Sequence, residues 1–438
     1  MTPPIDLPIG APASASFDDS DTAVERTVTD AGTRIITQAV PATRSVGISL
    51  WVPVGSRDEA PRHAGSTHFL EHLLFKGTGR RSALDIAVAF DSVGGESNAE
   101  TAREHTAYWA RILGDDLDMA VRTLVDMVAD SRLDPADFDM ERGVILDELA
   151  MSEDSPTEVV HDAFQLAVHG DTPLGRPIGG TPDAIRAVTR DDVHTHYRHH
   201  YGPDALVVAA AGAVDHARLA GLVADALADS SWADAAASSR PSRPRRPTAA
   251  PAPLDHEHEI VRRRDVEQAH LIVGTRGMRA NHDDGPVMSV LLSVLGGGMS
   301  SRLFQEVREK RGLAYTTYAF ESAYSDTGSF GMYAGTSPDR LAEVERIMIG
   351  QLEDLASDGP TDDELARVRG QVRGSVALGL EDNWSRMMRL GRAEVSGRYR
   401  TVAETLDAID AVTADQVRGL AARLARQTRA RALVLPRD

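Results

Sequence analysis

The chain of 438 residues carries an internal repeat at an offset of 224 residues. The motif AVTRDDV at residues 187–193 recurs as AVTADQV at residues 411–417, and each copy begins a predicted helix that leads to an apolar strand. The same offset brings the apolar segment at residues 47–53 onto residues 271–277. Two matches at one offset indicate a duplicated domain, so the fold must accommodate two similar units in tandem.

Each unit has the pattern of a mixed α/β domain. Alternating strands near its start are followed by amphipathic helices and then by a closing helix and strand. Helical periodicity is clearest over residues 117–130, 137–151 and 341–356. The chain is also longer than one hydrophobic core usually supports. We therefore predict an α+β fold of two tandem homologous α/β domains, each an antiparallel sheet packed with helices, closing on each other as a clamshell.

Composition indicates where these units begin and end. Residues 231–256 are rich in Pro, Ala and Arg and have no apolar periodicity, which predicts an interdomain linker whose arginines are solvated. Residues 1–17 contain Pro, Ala and Ser without a basic cluster or an apolar core, which predicts a disordered leader rather than a targeting signal. The two domains would then span residues 18–230 and 257–438.

Charge and cysteine usage restrict the function. With no cysteine, the chain has no disulfide and no thiolate ligand, so any metal must be bound by His and carboxylate side chains. A net charge of −19 argues against nucleic acid and anionic membranes as partners, although it permits attraction of basic peptides. No apolar run is long enough to span a bilayer. These features predict a cytoplasmic protein.

The segment HFLEH places two imidazoles and one carboxylate on a single helical face. His68 and His72 are one turn apart, and Glu71 lies beside them. Neutral imidazole suits Zn²⁺, and H-x-x-E-H is the inverse of the commoner H-E-x-x-H zinc protease motif. A motif of five residues can also occur by chance. On this motif alone, a helix with ordinary core or solvated histidines remains the alternative.

A catalytic zinc needs a third protein ligand and an open position. Glu141 and Glu148 lie seven residues apart on a predicted helix and so share one face, at the edge of its apolar side. They are the candidates for the third ligand. Taken by themselves, they are better explained as surface glutamates of an acidic helix.

The order of motifs resembles the pitrilysin/insulinase family of zinc metallopeptidases. The resemblance rests on HFLEH at residues 68–72, GGESNAET at 94–101, EHTAY at 104–108 and the Glu141/Glu148 pair. It is strongest for the bacterial branch that is similar to the mitochondrial processing peptidase, and it extends over most of the chain.

This resemblance implies a role for each residue of the metal site. His68, His72 and Glu148 would bind one Zn²⁺ per chain, and Glu71 would act as the general base that activates a zinc-bound water. Glu141 would orient a ligand histidine from the second shell.

The resemblance also implies residues that contact substrate. Asn98 and Ala99 would lie on an edge strand that takes up the peptide backbone as an added strand. Arg308 and Tyr315 of the second unit would reach across to the substrate and to the tetrahedral intermediate. Glu104 would support the metal site.

The predicted function is a zinc-dependent endopeptidase that hydrolyses short or unstructured peptides inside a closed chamber. Because the zinc residues and the arginine–tyrosine pair are on one chain, a homodimer is the expected assembly, with peptides as substrates and neither nucleic acid nor membrane as a partner. The alternative is a non-catalytic scaffold or assembly subunit of the same family. The complete set of His68, Glu71, His72 and Glu148 favours the enzyme.

Overall fold

A computed structural model describes residues 4–10, 12–20, 22–247, 254 and 256–437. Each half of the chain folds around its own sheet and its own main hydrophobic core. The predicted fold class, two tandem domains with helices packed on sheets, is confirmed. Each sheet is mixed rather than antiparallel as predicted, because it contains one parallel strand pair.

The strands form a seven-stranded sheet, a five-stranded sheet and a small two-stranded ribbon. In chain order they are β1 (Ile5–Asp6), β2 (Ala13–Asp19), β3 (Thr22–Val28), β4 (Arg34–Ala39), β5 (Ser45–Val52), β6 (Glu96–Thr101), β7 (Thr106–Leu113), β8 (Val207–Gly212), β9 (His258–Arg264), β10 (Ala269–Gly277), β11 (Ala314–Ala323), β12 (Gly328–Thr336), β13 (Arg398–Tyr399) and β14 (Ala430–Pro436). The first sheet has the order β2-β3-β4-β8-β5-β7-β6 and the second β11-β12-β10-β14-β9, while β1 pairs with β13.

The helices pack on these sheets. They are α1 (Ser66–Leu74), α2 (Ala83–Asp91), α3 (Leu117–Asp130), α4 (Pro135–Glu153), α5 (Pro156–His169), α6 (Pro182–Ala187), α7 (Arg190–His200), α8 (His216–Ala228), α9 (Ala233–Ala236), α10 (Gly285–Gly296), α11 (Leu341–Ser357), α12 (Asp362–Leu380), α13 (Asn383–Ser396), α14 (Val402–Asp410) and α15 (Ala414–Ala425). Among the described residues, no helix has both the length and the apolar character needed to cross a membrane.

The two sheets repeat one topology. Arg34 and His258, which begin β4 and β9, are 224 residues apart, and so are Ser45 and Ala269, which begin β5 and β10. In each half the strand that closes the unit lies between these two, parallel to one and antiparallel to the other. The offset seen in the sequence therefore relates equivalent strands of two copies of one design.

The halves exchange a helix. Helix α5 of the first half packs on the second sheet, where Phe164 lies in a cluster with Ile272 and Tyr333. Helix α13 of the second half packs on the first sheet, and a Cβ added at Gly391 would lie 2.2 Å from the Trp51 ring, so only glycine allows this approach. The central strands are thus buried on both faces, and each sheet depends on the opposite half for its cover.

The predicted disordered leader is ordered in its described part. Ile5 pairs with Tyr399, and strand β2 pairs with β3 along its whole length, which extends the first sheet to its outer edge. The buried Asp19 carboxylate at the end of β2 accepts a hydrogen bond from the Val402 amide at 2.8 Å. Residues 1–3 and 11 of that stretch lie outside the described residues.

The sequence predicted that the linker arginines are solvated, but in the structure some of them are paired with carboxylates. Arg245 donates to the buried Glu394, Arg246 pairs with Asp58, and the Ser242 hydroxyl donates to the Gly32 carbonyl at 2.6 Å. The described part of residues 231–256 therefore lies against both halves of the molecule. Residues 248–253 and 255 lie outside the described residues.

Candidate functional site

Helix α1 presents His68, Glu71 and His72 on one side. Its other side is anchored by fully buried Phe69, Leu70, Leu73 and Leu74, which belong to the core of the first half. The three polar residues are consequently only partly buried and face away from that core. The HFLEH motif is therefore held rigidly by the apolar residues interleaved with it.

The N-terminus of this helix is fixed by a buried carboxylate that the sequence analysis did not identify. The two oxygens of Glu59 accept hydrogen bonds from the amides of Gly65 and Thr67, each at 2.7 Å. Burial raises the pKa of the Glu59 carboxyl to about 7, against the opposing effect of these hydrogen bonds. Gly65 has φ of 95°, a left-handed conformation that favours glycine. Nothing in the local sequence distinguishes Glu59 from a surface acid.

Helix α4 brings Glu148 to the two histidines. Its Oε2 lies 3.4 Å from His72 Nε2 and 3.8 Å from His68 Nε2. The three donor atoms all lie within 4.8 Å of one another, and this is the only such group of three or more within the described residues. Ligands of a tetrahedral zinc with bonds of 2.0–2.1 Å are roughly 3.3 Å apart, so two nitrogens and one oxygen in this arrangement fit a Zn²⁺ site with an open position.

Glu141 lies behind the candidate metal ligands. It is 2% exposed, and its Oε2 accepts a hydrogen bond from His72 Nδ1 at 3.0 Å while its Oε1 pairs with Lys76 at 2.7 Å. A carboxylate can only accept, so the neutral His72 ring carries its proton on Nδ1 and leaves Nε2, on the side of Glu148, able to bind a metal. The predicted role of Glu141, orienting a ligand histidine, stays a prediction that this contact permits.

His68 is prepared for metal binding in a different way. Burial, and to a smaller extent the neighbouring His72, lowers the pKa of His68 to about 4, so the ring is neutral at physiological pH. Its Nδ1 is buried and has no hydrogen-bond partner among the described residues. The neutral ring therefore needs no proton release before it can act as a ligand.

Glu71 lies beside the ligands without joining their group. Burial raises the pKa of its carboxyl, and a hydrogen bond from the Thr101 hydroxyl to Oε2 opposes that rise. Thr101 ends strand β6 and was not singled out in the sequence, although it closes the GGESNAET motif. A carboxylate with a raised pKa next to a metal site suits general-base chemistry.

Strand β6 forms the outer edge of the first sheet. Among the described strands it pairs with β7 alone, and its residues are exposed or half-buried. The Ala99 amide donates to the Asn98 side-chain oxygen at 2.8 Å, so an incoming peptide strand would take the place of that local bond. Because Thr101 of the same strand contacts Glu71, a peptide paired with β6 would pass the metal ligands.

Arg308 and Tyr315 lie together in the second half. The Arg308 guanidinium is 4.4 Å from the centre of the Tyr315 ring, and its Nη1 donates to the Tyr315 carbonyl at 3.2 Å. Arg308 belongs to a π-helical segment, Phe304–Glu309, a geometry often found at functional sites. The Tyr315 side chain is 75% exposed. The pair contacts none of the metal-site residues in this structure, so its predicted reach to the substrate stays a prediction.

Glu104 contacts none of the candidate metal ligands, in contrast to its predicted role in supporting the metal site. Its carboxylate pairs with Arg57 and accepts hydrogen bonds from the amide and the hydroxyl of Ser325 at 2.9 and 2.7 Å. Arg57 in turn donates to Asp326 at 2.9 Å. Glu104 therefore ties the β6–β7 turn to the second half, and it acts at the junction of the halves.

Two family models and several relatives match this chain. Residues 34–182 match the family model described as insulinase, peptidase family M16, and residues 187–372 match the model described as the peptidase M16 inactive domain. An uncharacterized zinc protease of Streptomyces coelicolor is 47% identical over 400 residues, covering 91% of this chain and 86% of that protein. The uncharacterized zinc protease YmxG of Bacillus subtilis is 35% identical over 414 residues, covering 94% and 98%.

Solved structures share the fold. A protease from Helicobacter pylori superposes with a TM-score of 0.86 at 20% identity, covering 98% of this chain and all of the other. The peptidase M16 inactive domain from Pseudomonas fluorescens gives 0.84 at 17% identity, covering 95% and 98%. At these identities the likeness concerns the fold alone.

Proposed function

Because this chain belongs to the insulinase family of peptidases, family M16, we propose that it is a zinc-dependent endopeptidase acting on short or unstructured peptides. The observation that carries the proposal is the convergence of His68, His72 and Glu148 next to Glu71. The only metal-competent group among the described residues lies in the first half, which supports one Zn²⁺ per chain. The second half then has a supporting role.

Each residue of the site has a separate role in catalysis. Zinc, when held by His68, His72 and Glu148, supplies Lewis-acid polarisation of the scissile carbonyl and of the attacking water. Glu71 accepts the proton of that water as it attacks and then delivers it to the leaving amine. Glu141 keeps His72 in the tautomer that offers Nε2 to the metal.

The substrate is held mainly by its backbone. The open edge of β6 offers amide and carbonyl groups to an extended peptide, with Asn98 and Ala99 at its centre. A folded protein cannot present such a free strand easily, so unstructured peptides are preferred. Arg308 and Tyr315 then supply donors for the developing oxyanion from the second half.

The direct test is hydrolysis of an internally quenched fluorescent peptide by the purified full chain. We expect cleavage that a chelator abolishes and that zinc restores, with about one zinc per chain by atomic absorption, as one three-ligand site requires. Bound zinc without cleavage of any peptide in a diverse library would contradict the peptidase and favour a scaffold role.

Removal of the Thr101 hydroxyl is expected to change the pH dependence of catalysis. Glu71 must be ionised to act as a base, so kcat/KM falls as the pH drops through its pKa. In Thr101→Val the Glu71 carboxylate loses a hydrogen-bond donor, so its pKa rises. A hydrogen bond to a charged group contributes about 1.5 kcal/mol, so the acid limb of the kcat/KM profile should move to higher pH by about one unit. The measurement is kcat/KM from pH 5 to 8. Thr101→Ser keeps the hydroxyl and should keep the wild-type limb, and an unshifted limb in Thr101→Val would refute the coupling.

The assembly proposed is a homodimer, because one chain carries both the zinc residues and the arginine–tyrosine pair. Size-exclusion chromatography with light scattering should give about twice the chain mass of 47.1 kDa. A monomer with full peptidase activity would overturn this assignment.

A further inference from the structure

A cavity of about 960 Å³ lies between the two halves, at the upper end of the range for ligand pockets. Among the described residues, nine arginines and two glutamates line it, with no lysine and no aspartate. The surrounding protein carries a net charge of −19. The charged groups that line this cavity are thus mainly positive, whereas the whole chain is negative.

Five of these arginines are held by carboxylates behind the wall. Arg34 and Arg245 share the single carboxylate of Glu394 with Arg26, so that one anion faces three cations. The other three each have their own partner: Arg243 with Asp204, Arg246 with Asp58 and Arg389 with Asp19. These contacts fix the wall of the cavity without neutralising it fully.

Of the remaining four arginines, three have no carboxylate partner in the part of the chain that the structure describes. Arg279, Arg392 and Arg400 have no carboxylate within 4 Å among the described residues, and Arg398 has only Asp6 at 3.5 Å and an exposed aspartate at 4.0 Å. Three unpaired guanidinium groups facing one cavity repel one another. An anion placed among them would relieve this repulsion and accept their planar donor pairs.

The cavity reaches the peptide-binding edge. His105, in its wall, hydrogen-bonds to Glu100 of β6, and this bond, together with the more distant charge of Arg392, lowers the pKa of the Glu100 carboxyl. Glu100 is next to Thr101, the residue that contacts Glu71. A peptide that leaves the Thr101 end of β6 therefore enters the arginine-lined space directly.

We propose that this cavity is a charge-selective subsite that receives an acidic segment of the peptide substrate, with Arg279, Arg392 and Arg400 binding its carboxylates. The inference rests on the peptidase function proposed above and adds its substrate class. It also reverses the expectation from net charge, because the field inside a low-dielectric cleft is set by the groups that line it rather than by the whole chain. Glu321 lies in the same wall, where burial raises the pKa of its carboxyl.

The test measures binding separately from turnover. Two fluorescein-labelled peptides share one core sequence. One carries three glutamates on one side of the core, and the other carries three glutamines there. Each is titrated with the Glu71→Gln protein, and binding is followed by fluorescence anisotropy. We expect the acidic peptide to bind about tenfold more tightly at 50 mM salt, and the ratio to shrink as salt rises. Equal affinities of the two peptides would overturn the proposal.

Two triple variants test whether the cavity arginines cause the selectivity. A triple Arg279→Gln, Arg392→Gln, Arg400→Gln protein should bring the affinity ratio close to one. A matched triple on the outer surface, Arg186→Gln, Arg373→Gln, Arg418→Gln, changes the net charge equally and should keep the ratio. If both triples lose selectivity alike, long-range charge is responsible and the subsite is refuted.

The outcomes also separate this inference from the peptidase proposal. Selective binding without hydrolysis by the wild-type chain supports the subsite and removes the peptidase. Hydrolysis of both peptides at equal kcat/KM supports the peptidase and removes the subsite. If the cavity triple does not fold, the salt-dependent ratio of the two peptides still decides the question.

Discussion

Glu71→Gln is expected to lower kcat by about 10²–10⁴-fold, the usual contribution of a general base, while the bound zinc remains. Glutamine has nearly the same shape as glutamate but cannot accept the proton of the attacking water. His68, His72 and Glu148 are unchanged, so the metal keeps its three ligands. The measurements are single-turnover hydrolysis of a fluorogenic peptide and the zinc content of the same sample.

Two further variants make this result specific. Glu148→Gln removes a ligand, so it should lose both zinc and activity. Glu153→Gln lies on the same helix, where Glu153 pairs with Arg264 at the surface, and it should behave as the wild type. Wild-type turnover in Glu71→Gln would show that the base has been misassigned.

The residues of the candidate metal site could be singled out from the sequence because their relations are mostly local. His68, Glu71 and His72 are fixed relative to one another by helical geometry alone, and Glu141 and Glu148 share one face for the same reason. What brings helix α4 to α1 is tertiary packing, such as the stacking of Phe69 on Phe138 at 4.3 Å. The residues alone could not show that contact, and the family resemblance supplied it.

The positions of the helices were predicted better than the sheets on which they pack. The pattern over residues 117–130 coincides with α3, and the pattern over 341–356 falls within α11. Amphipathic periodicity shows which face of a helix is buried but not which sheet covers it. The exchange of α5 and α13 between the halves was therefore invisible in the sequence.

The errors share one cause, which is contact over a long sequence distance. The segment at residues 1–17 has the composition of a disordered tail, but its strands find partners in β3 and, through Tyr399, near the opposite end of the chain. Glu104 was predicted to support the metal site because it lies in a motif of the resemblance, whereas its partner Ser325 lies 221 residues away. Composition and motif position carry no information about such pairings.

Glu394→Gln is expected to lower the free energy of unfolding by about 3–5 kcal/mol, the cost of breaking a buried ion pair by removing one partner. The Glu394 side chain is fully buried and accepts hydrogen bonds from Arg26 at 2.7 and 2.9 Å and from Arg245 at 3.1 Å, with Arg34 at 3.5 Å. Burial, and to a smaller extent the other two arginines, already lowers the pKa of Arg34 to about 10. Without the carboxylate, three cations would remain close together with no anion.

The effect should extend beyond the ion cluster, because the same arginines hold the N-terminal segment. Arg26 donates to the Pro8 carbonyl and Arg245 to the Leu7 carbonyl, each at 2.8 Å, while Glu394 itself lies on the exchanged helix α13. Urea unfolding followed by tryptophan fluorescence measures the loss. Glu353→Gln, which removes an exposed pair with Arg429, should change stability by less than about 0.5 kcal/mol. An equally small change in Glu394→Gln would mean that apolar packing of α13 on the first sheet, rather than its buried charge, holds the two halves together.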